Sequence, residues 1–241
     1  MLVAIQKRFF WLLLPASLLS CFAAQIPSAP GSPIKAIARL APNPHDSTHK
    51  PAKAPPAVIW LNPVETRLNQ PFLPGSFTLL QKNKMFTPHL LVLPVGSTVS
   101  FPNADPFFHN VFSLFDGKRF DLGLYEAGST RSVVFSRVGV SYIFCNIHSE
   151  MSAVVIALET PYFAIDDAHG VFLLDNMPPG DYDLHVWIEG QKQASLDTLT
   201  RRVRVRGEVT DLGEIRGGQP EPKTHVDKFG RPYNPDPRPI Y

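Results

Sequence analysis

The chain has 241 residues, among them 25 prolines, 15 glycines and two cysteines, and its formal net charge is +2. Charged residues make up 18% and hydrophobic residues 44%, which favours a folded body of one or two domains over a disordered chain. The near-neutral balance offers no basic field for nucleic acid. Two cysteines are too few for a disulfide framework.

Residues 1–24 are expected to form a signal peptide. Two basic residues precede a short apolar run that ends in small residues, a pattern that favours export over a membrane span. The run Leu18-Leu19-Ser20-Cys21 resembles a bacterial lipobox, in which the cysteine becomes a diacylated N-terminus. Lipidation at Cys21 and simple cleavage near Ala23 both stay open. In either case we expect a periplasmic or exported protein, with membrane contact only through a lipid anchor.

The next segment and the C-terminal end are both rich in proline. Residues 25–55 are predicted to be a Pro/Ala-rich linker. Residues 218–241 contain six prolines and are predicted to be an irregular, disordered tail, although Phe229, Tyr233 and Tyr241 could dock on the body.

Between these ends, short apolar runs alternate with glycine and proline turns, which is typical of an all-β sandwich or barrel. The predicted strands are 57–61, 90–93, 98–101, 109–114, 131–136, 141–145 and 153–158, followed by 171–174, 182–187 and 202–205. The second group of strands is small for an independent core. We therefore expect it to pack on the first group and to be able to borrow the strand at 57–61.

Four residues in the first group could bind a metal. Cys145-x-x-His148-x-x-Met151 offers a thiolate, an imidazole and a thioether from one loop, and His109 begins another predicted strand. A copper ion that cycles between Cu(I) and Cu(II) is held by a thiolate and two imidazoles, with a weak thioether on the axis. Each of the four residues alone is better explained by ordinary packing or an ordinary loop position than by metal binding. Together, in an exported chain, they favour copper.

These residues also resemble a known family. Phe101-Pro-Asn103-x-Asp105-x-x-x-His109-Asn110-Val111, followed by the Cys-x-x-His-x-x-Met loop, resembles the cupredoxins, and the loop spacing is similar to that of amicyanin. Residues 85–164 more closely resemble bacterial exported plastocyanin-like or methylamine utilization proteins. The resemblance implies a Greek-key β-sandwich over residues 56–160 and one type 1 (blue) copper. It carries the ligand roles onto His109, Cys145, His148 and Met151.

The same resemblance implies a supporting residue and a second unit. Asn110 would be the amide that ties the ligand loop to the adjacent strand. Residues 161–217 resemble the regulatory domain of carboxypeptidases, a transthyretin-like β-sandwich, through Asp166-Asp167-x-x-Gly170-x-Phe172 and the turns and tyrosine that follow. That resemblance implies a passive packing or binding module.

The leading hypothesis is an electron carrier, not an enzyme, that passes single electrons between redox proteins of the periplasm. By analogy with the family, His148 would be the exit for electrons, and Phe107 and Phe108 are candidates for an apolar docking patch. Two alternatives stay open. One is a copper chaperone or store without electron transfer. The other is a metal-free sandwich that binds carbohydrate or protein through Trp60 or Trp187 at its surface.

Overall fold

The structure is a computed structural model that describes residues 34–41, 55–65, 68, 70–114, 117–167, 169–218 and 226–233. Within them the chain is almost entirely β, with one short helix, α1 (Gln193–Asp197), so the prediction of an all-β fold is confirmed. The strands are β1 (Ile34–Leu40), β2 (Ala57–Pro63), β3 (Ser76–Thr78), β4 (Leu80–Lys82), β5 (Met85–Thr87), β6 (Leu90–Pro94), β7 (Thr98–Pro102), β8 (His109–Ser113), β9 (Phe120–Tyr125), β10 (Thr130–Val134), β11 (Gly139–Cys145), β12 (Ser152–Leu158), β13 (Phe163–Ile165), β14 (Val171–Met177), β15 (Gly180–Ile188), β16 (Arg201–Val205) and β17 (Val209–Ile215).

The N-terminal expectations fall outside this part of the chain. The signal peptide at 1–24 and the lipobox at Cys21 lie outside the described residues, and so does the whole segment 42–54. In the ranges that the structure does describe, no helix is both long and apolar enough to cross a membrane.

The first sandwich consists of two sheets and a hairpin. A three-stranded sheet has the order β10-β7-β3, and a five-stranded sheet has the order β6-β12-β11-β8-β9. β4 and β5 form the hairpin. The chain passes repeatedly from one sheet to the other, and an apolar core that includes Phe101, Tyr125 and Phe135 fills the space inside. This sandwich places the start of β8 and the end of β11 at neighbouring positions, because these two strands pair antiparallel.

β12 is apolar along almost its whole length because both of its faces are buried. Ala153, Val155 and Ala157 point into the core of the first sandwich. Val154, Ile156 and Leu158 belong to a second apolar cluster. A strand that is buried on both faces is expected to be a continuous apolar run rather than an alternation of apolar and polar residues. The five-stranded sheet is therefore shared by two cores.

The second sandwich also consists of two sheets, with the orders β14-β1-β17 and β13-β2-β15-β16. β2 pairs with β13 on one side and with β15 on the other. The boundary at residue 56 therefore needs correction, since the strand at 57–63 belongs to the second sandwich and not to a domain at 56–160. The physical reason for this arrangement is that β16 pairs with only one edge of β15, and β2 pairs with the other edge.

The prediction that all of residues 25–55 form a linker is wrong at residues 34–40. β1 is the central strand of its sheet, antiparallel to β14 and parallel to β17. Ile34, Ala36 and Ala38 are buried, whereas Lys35 and Arg39 point away from the core. The alternation with period two is that of a strand with one buried face.

Two further expectations are revised. Trp187 does not lie at a surface: it is 1% exposed, and its indole N–H donates to the Tyr142 hydroxyl on β11 at 3.1 Å. The tail is not irregular throughout, because residues 226–233 form a hydrogen-bonded turn that contacts the first sandwich. Within it Tyr233 docks, as its aromatic character suggested, but Phe229 stays 64% exposed.

Candidate metal centre

Three side chains converge at one end of the first sandwich. His109 begins β8, Cys145 ends β11, and His148 lies in the loop that leads to β12. The Cys145 Sγ atom lies 3.6 Å from His109 Nδ1 and 3.5 Å from His148 Nδ1, and the two Nδ1 atoms lie 3.2 Å apart. His109 and Cys145 are 36 positions apart in the sequence. The fold nevertheless brings one sulfur and two nitrogens of the three side chains to a common point.

The size of this triangle fits a metal ion. A point equidistant from the three atoms lies about 2.0 Å from each of them, close to the usual metal–imidazole distance of about 2.0–2.1 Å and metal–thiolate distance of about 2.3 Å. One thiolate and two imidazoles are the donor set of trigonal copper sites. The residues present therefore fit a copper ion.

Met151 is the fourth candidate ligand predicted from the sequence. It is fully buried and belongs to the same apolar cluster as Cys145. Its backbone closes the ligand loop: its N–H donates to the His148 carbonyl at 3.1 Å, and its carbonyl accepts the Cys145 N–H at 3.2 Å. These two bonds make the segment from Cys145 to Met151 a compact turn. The thioether's role as an axial ligand stays a prediction.

Burial sets the protonation of the ligands. It lowers the pKa of His109, although the neighbouring Asp105 carboxylate opposes this effect. Burial, and then the positive charges of His109 and Lys84, lower the pKa of His148 to about 4. Both imidazoles are therefore neutral near pH 7, the form that binds a metal.

Burial disfavours ionisation of the Cys145 thiol. It raises the pKa of Cys145, against the backbone amides of Asn110, Ile147 and His148, which hydrogen-bond to its sulfur and would hold a thiolate. A coordinated metal ion deprotonates a thiol outright. A metal bound by Cys145 would therefore take the place of the thiol proton.

Asp105 is a functional residue to which the sequence analysis gave no role. Its Oδ2 atom accepts a hydrogen bond from His109 Nε2 at 2.9 Å, so that the Nδ1 atom is left to face Cys145. A carboxylate behind a metal-binding histidine fixes the tautomer and the orientation of the ring. The four-residue spacing in Asp105-x-x-x-His109 was the signal that could have indicated this pair.

Asp105 is itself held by a tight turn. The backbone amides of Asn83 and Lys84, between β4 and β5, donate to it at 2.6 Å and 3.0 Å. Asn83 and Lys84 have φ values of 56° and 54°, a conformation that costs energy in residues other than glycine. Burial alone would raise the pKa of Asp105, but the hydrogen bonds from Lys84, His109 and Asn83 outweigh it and lower that pKa.

Asn110 supports the loop in a different way from the one expected. Its backbone carbonyl accepts the Asn146 N–H at 2.9 Å and so joins β8 to the ligand loop. Its side-chain amide donates to Asp121 Oδ1 on β9 at 2.7 Å. The tie to the ligand loop is thus made by the backbone of Asn110 and not by its side chain.

The two phenylalanines before His109 differ in position. The ring of Phe107 packs against both imidazoles, with centroids 5.4 Å from His109 and 5.3 Å from His148. Phe108 is 42% exposed. His109 is completely buried, whereas His148 is only half-buried, so His148 is the ligand residue through which the site reaches the surface.

Solved structures that are similar to part of this chain include copper proteins. A purple cupredoxin from Nitrosopumilus maritimus is 26% identical over 34% of this chain and 98% of its own, with a TM-score of 0.31. A copper-containing nitrite reductase from Thermus scotoductus SA-01 is 25% identical over 41% of this chain and 26% of its own, with a TM-score of 0.34. An amicyanin variant is 20% identical over 34% of this chain and 82% of its own, with a TM-score of 0.32.

No family model and no curated protein matches the chain. The resemblance of residues 161–217 to the regulatory domain of carboxypeptidases therefore stays a prediction. The functional argument rests on the geometry of the ligand residues.

Proposed function

We propose that this chain is an exported protein with one type 1 copper, which carries single electrons between redox proteins of the periplasm. The observation that supports it most directly is the triangle of Cys145 Sγ and the Nδ1 atoms of His109 and His148, with sides of 3.2–3.6 Å. Copper bound there would accept and release one electron between Cu(II) and Cu(I).

The residues around the triangle suit a carrier because they resist rearrangement. Asp105 holds His109 from behind, and the two backbone bonds of Met151 hold the loop. A ligand set that is fixed by the protein changes little between oxidation states, which favours rapid electron exchange. No bond forms or breaks in the exchange: one electron arrives from a reduced partner protein and leaves to an oxidised one.

Electrons would enter and leave through His148. This ligand is half-buried, and its neighbour Ile147 is 44% exposed. Phe108 and Ile147 offer exposed apolar side chains next in sequence to His109 and His148, of the kind that a partner protein could cover. Phe107 is less exposed than Phe108 and packs against both imidazoles, and it is proposed to support the ligands rather than to meet the partner.

Burial of the ligands favours retention of copper over its delivery. His109 and Cys145 have no exposed surface, so that transfer of the ion to another protein would require the loop to open. A chaperone or store would instead offer accessible ligands. The second sandwich is proposed to be a packing module, since β12 belongs to its core as well as to that of the first.

Voltammetry of the copper-loaded protein tests the proposal. We expect one reversible one-electron wave. Met151→Leu should move it to higher potential, because loss of a weak axial donor destabilises Cu(II) more than Cu(I). His169→Ala, at an exposed position in the second sandwich, is the matched control and should leave the wave unchanged. A copper-loaded protein that binds the metal but shows no reversible wave would contradict an electron carrier.

A further inference from the structure

The C-terminal turn at residues 226–233 contacts the loop that carries Cys145 and His148. The Tyr233 hydroxyl donates to the carbonyl oxygen of Cys145 at 2.8 Å. The backbone N–H of Lys228 donates to Asn146 Oδ1 at 2.9 Å. Two consecutive residues of the ligand loop are thus held from outside by a segment more than 80 positions further along the chain.

The same turn also reaches the strand on the other side of the site. Lys228 Nζ forms an ion pair with Asp121 Oδ2 on β9 at 2.7 Å. Asp121 in turn accepts the side-chain amide of Asn110, the residue that follows His109. A continuous set of polar contacts therefore runs from Asn110 through Asp121 and Lys228 to Asn146. It links the neighbours of His109 and Cys145 through the C-terminal segment.

The turn has its own internal structure, so it presents these groups in fixed positions. Asp227 accepts the backbone amides of Phe229 and Arg231 at 2.9 Å and 2.8 Å. The Arg231 guanidinium lies over the Phe229 ring, 4.9 Å from its centroid. Because Phe229 stays 64% exposed, burial of this ring is not what attaches the turn to the body. The polar contacts of Lys228 and Tyr233 contribute to it, beside the half-buried Tyr233 ring.

We propose that residues 226–233 are a strap that fixes the metal-binding loop, with Tyr233 and Lys228 as positioning residues. This inference rests on the proposed function, in which the loop holds copper. A hydrogen bond to the Cys145 carbonyl restricts rotation of the peptide that follows the ligand and so holds the sulfur in place. The positive end of the O–H dipole also lies close to the ligand cysteine, where it disfavours the more positive oxidation state.

Tyr233→Phe is the sharpest test, because it removes one hydroxyl and keeps the ring. In the copper-loaded protein, we expect loss of copper to a chelator to become about tenfold faster, in line with other residues that support metal ligands. The reduction potential should fall. In the metal-free full-length protein, alkylation of Cys145 by iodoacetamide should also become about tenfold faster, since the loop opens more often. Peptide mass spectrometry separates Cys145 from Cys21.

Tyr182→Phe is the matched control. Its hydroxyl likewise donates to a backbone carbonyl, that of Pro178 at 2.8 Å, but in the second sandwich. It should change none of the three quantities. Lys228→Met should accelerate alkylation as well, and Lys228→Arg, which keeps a cation opposite Asp121, should restore the rate of the natural chain.

The two proposals fail in different ways. If the natural protein takes up no copper, the proposed function is wrong, while alkylation of the metal-free protein still tests the strap. Alkylation rates in Tyr233→Phe and Lys228→Met within twofold of the natural chain would overturn the strap. Equal acceleration in Tyr182→Phe would overturn it too, because general destabilisation would then account for the effect.

Discussion

At the scale of single residues, the pair of Asp105 and His109 shows how a buried imidazole is held in one orientation. The carboxylate accepts from Nε2, and the Nδ1 atom faces Cys145 and His148. Because Asp105 also accepts two backbone amides, turning away from the histidine would break three hydrogen bonds, including that of the buried His109 ring. The orientation of His109 is therefore fixed by the hairpin of β4 and β5.

Asp105→Asn should weaken copper binding by about 10- to 100-fold. The asparagine side chain has one accepting oxygen, whereas the carboxylate has two. When that oxygen faces some of the three donors, the NH₂ group faces the others and cannot accept from them. Competition with a chelator of known affinity measures the loss. Asp167→Asn is the control, since Asp167 also accepts two backbone amides, those of His169 and Val171, but in an exposed turn of the second sandwich. Copper affinity of Asp105→Asn within twofold of the natural chain would contradict the role given to Asp105.

The convergence of His109, Cys145 and His148 could be predicted from the sequence, because the spacing of the loop is set by chemistry and both segments lie beside β patterns. For Asp105, the four-residue spacing indicates only the pair with His109 and not what holds the carboxylate in place. Its partners at Asn83 and Lys84 are backbone amides, which any residue type provides. The same holds for Tyr233, whose partner is the carbonyl of Cys145.

At the scale of secondary structure, β1 is the central strand of one of the two sheets of the second sandwich. It fills the centre of its sheet, so both of its edges are paired. Its buried side chains are small: Ala36 and Ala38 lie against the core with no exposed surface. Alanine has little intrinsic preference for strands. Pairing with β14 and β17, rather than its own residue types, therefore stabilises β1 as a strand. For this reason the strand could not be recognised within a proline-rich segment of the sequence.

Ala38→Asp should destabilise the protein by about 3 kcal/mol or more, because it buries a carboxylate without a partner. Denaturant unfolding, followed by circular dichroism, measures the change. Lys35→Asp introduces the same residue on the exposed face of β1 and should stay within about 0.5–1 kcal/mol of the natural chain. Equal stability of the two variants would mean that β1 does not contribute its buried face to the core.

At the scale of the whole molecule, the two sandwiches share the five-stranded sheet. Contacts beyond β12 join them: Trp187 donates to Tyr142 on β11, and His89 Nε2 is hydrogen-bonded to Glu189 Oε1 at 2.9 Å. The pairing of β2 with β15 joins residues more than 120 positions apart, such as Val58 and Trp187. Local apolar patterns identify such strands but carry no information about their partners. Domain boundaries could therefore not be placed from the sequence.

Because the two cores share a sheet, both should unfold in one cooperative transition. Tryptophan fluorescence reports on the second sandwich through Trp60 and Trp187, and the copper absorption reports on the first. We expect the two thermal midpoints to agree within about 2 °C for a single transition. Midpoints that differ by much more would show two independently stable domains.

Joint binding of one copper ion by His109, Cys145 and His148 is tested most directly by anaerobic titration of the reduced, metal-free protein with copper, followed by oxidation and a visible spectrum. We expect one copper per chain and an intense thiolate-to-copper absorption, which Cys145→Ser abolishes even where copper still binds to the histidines. A colourless product that retains an intact Cys145 thiol would contradict it.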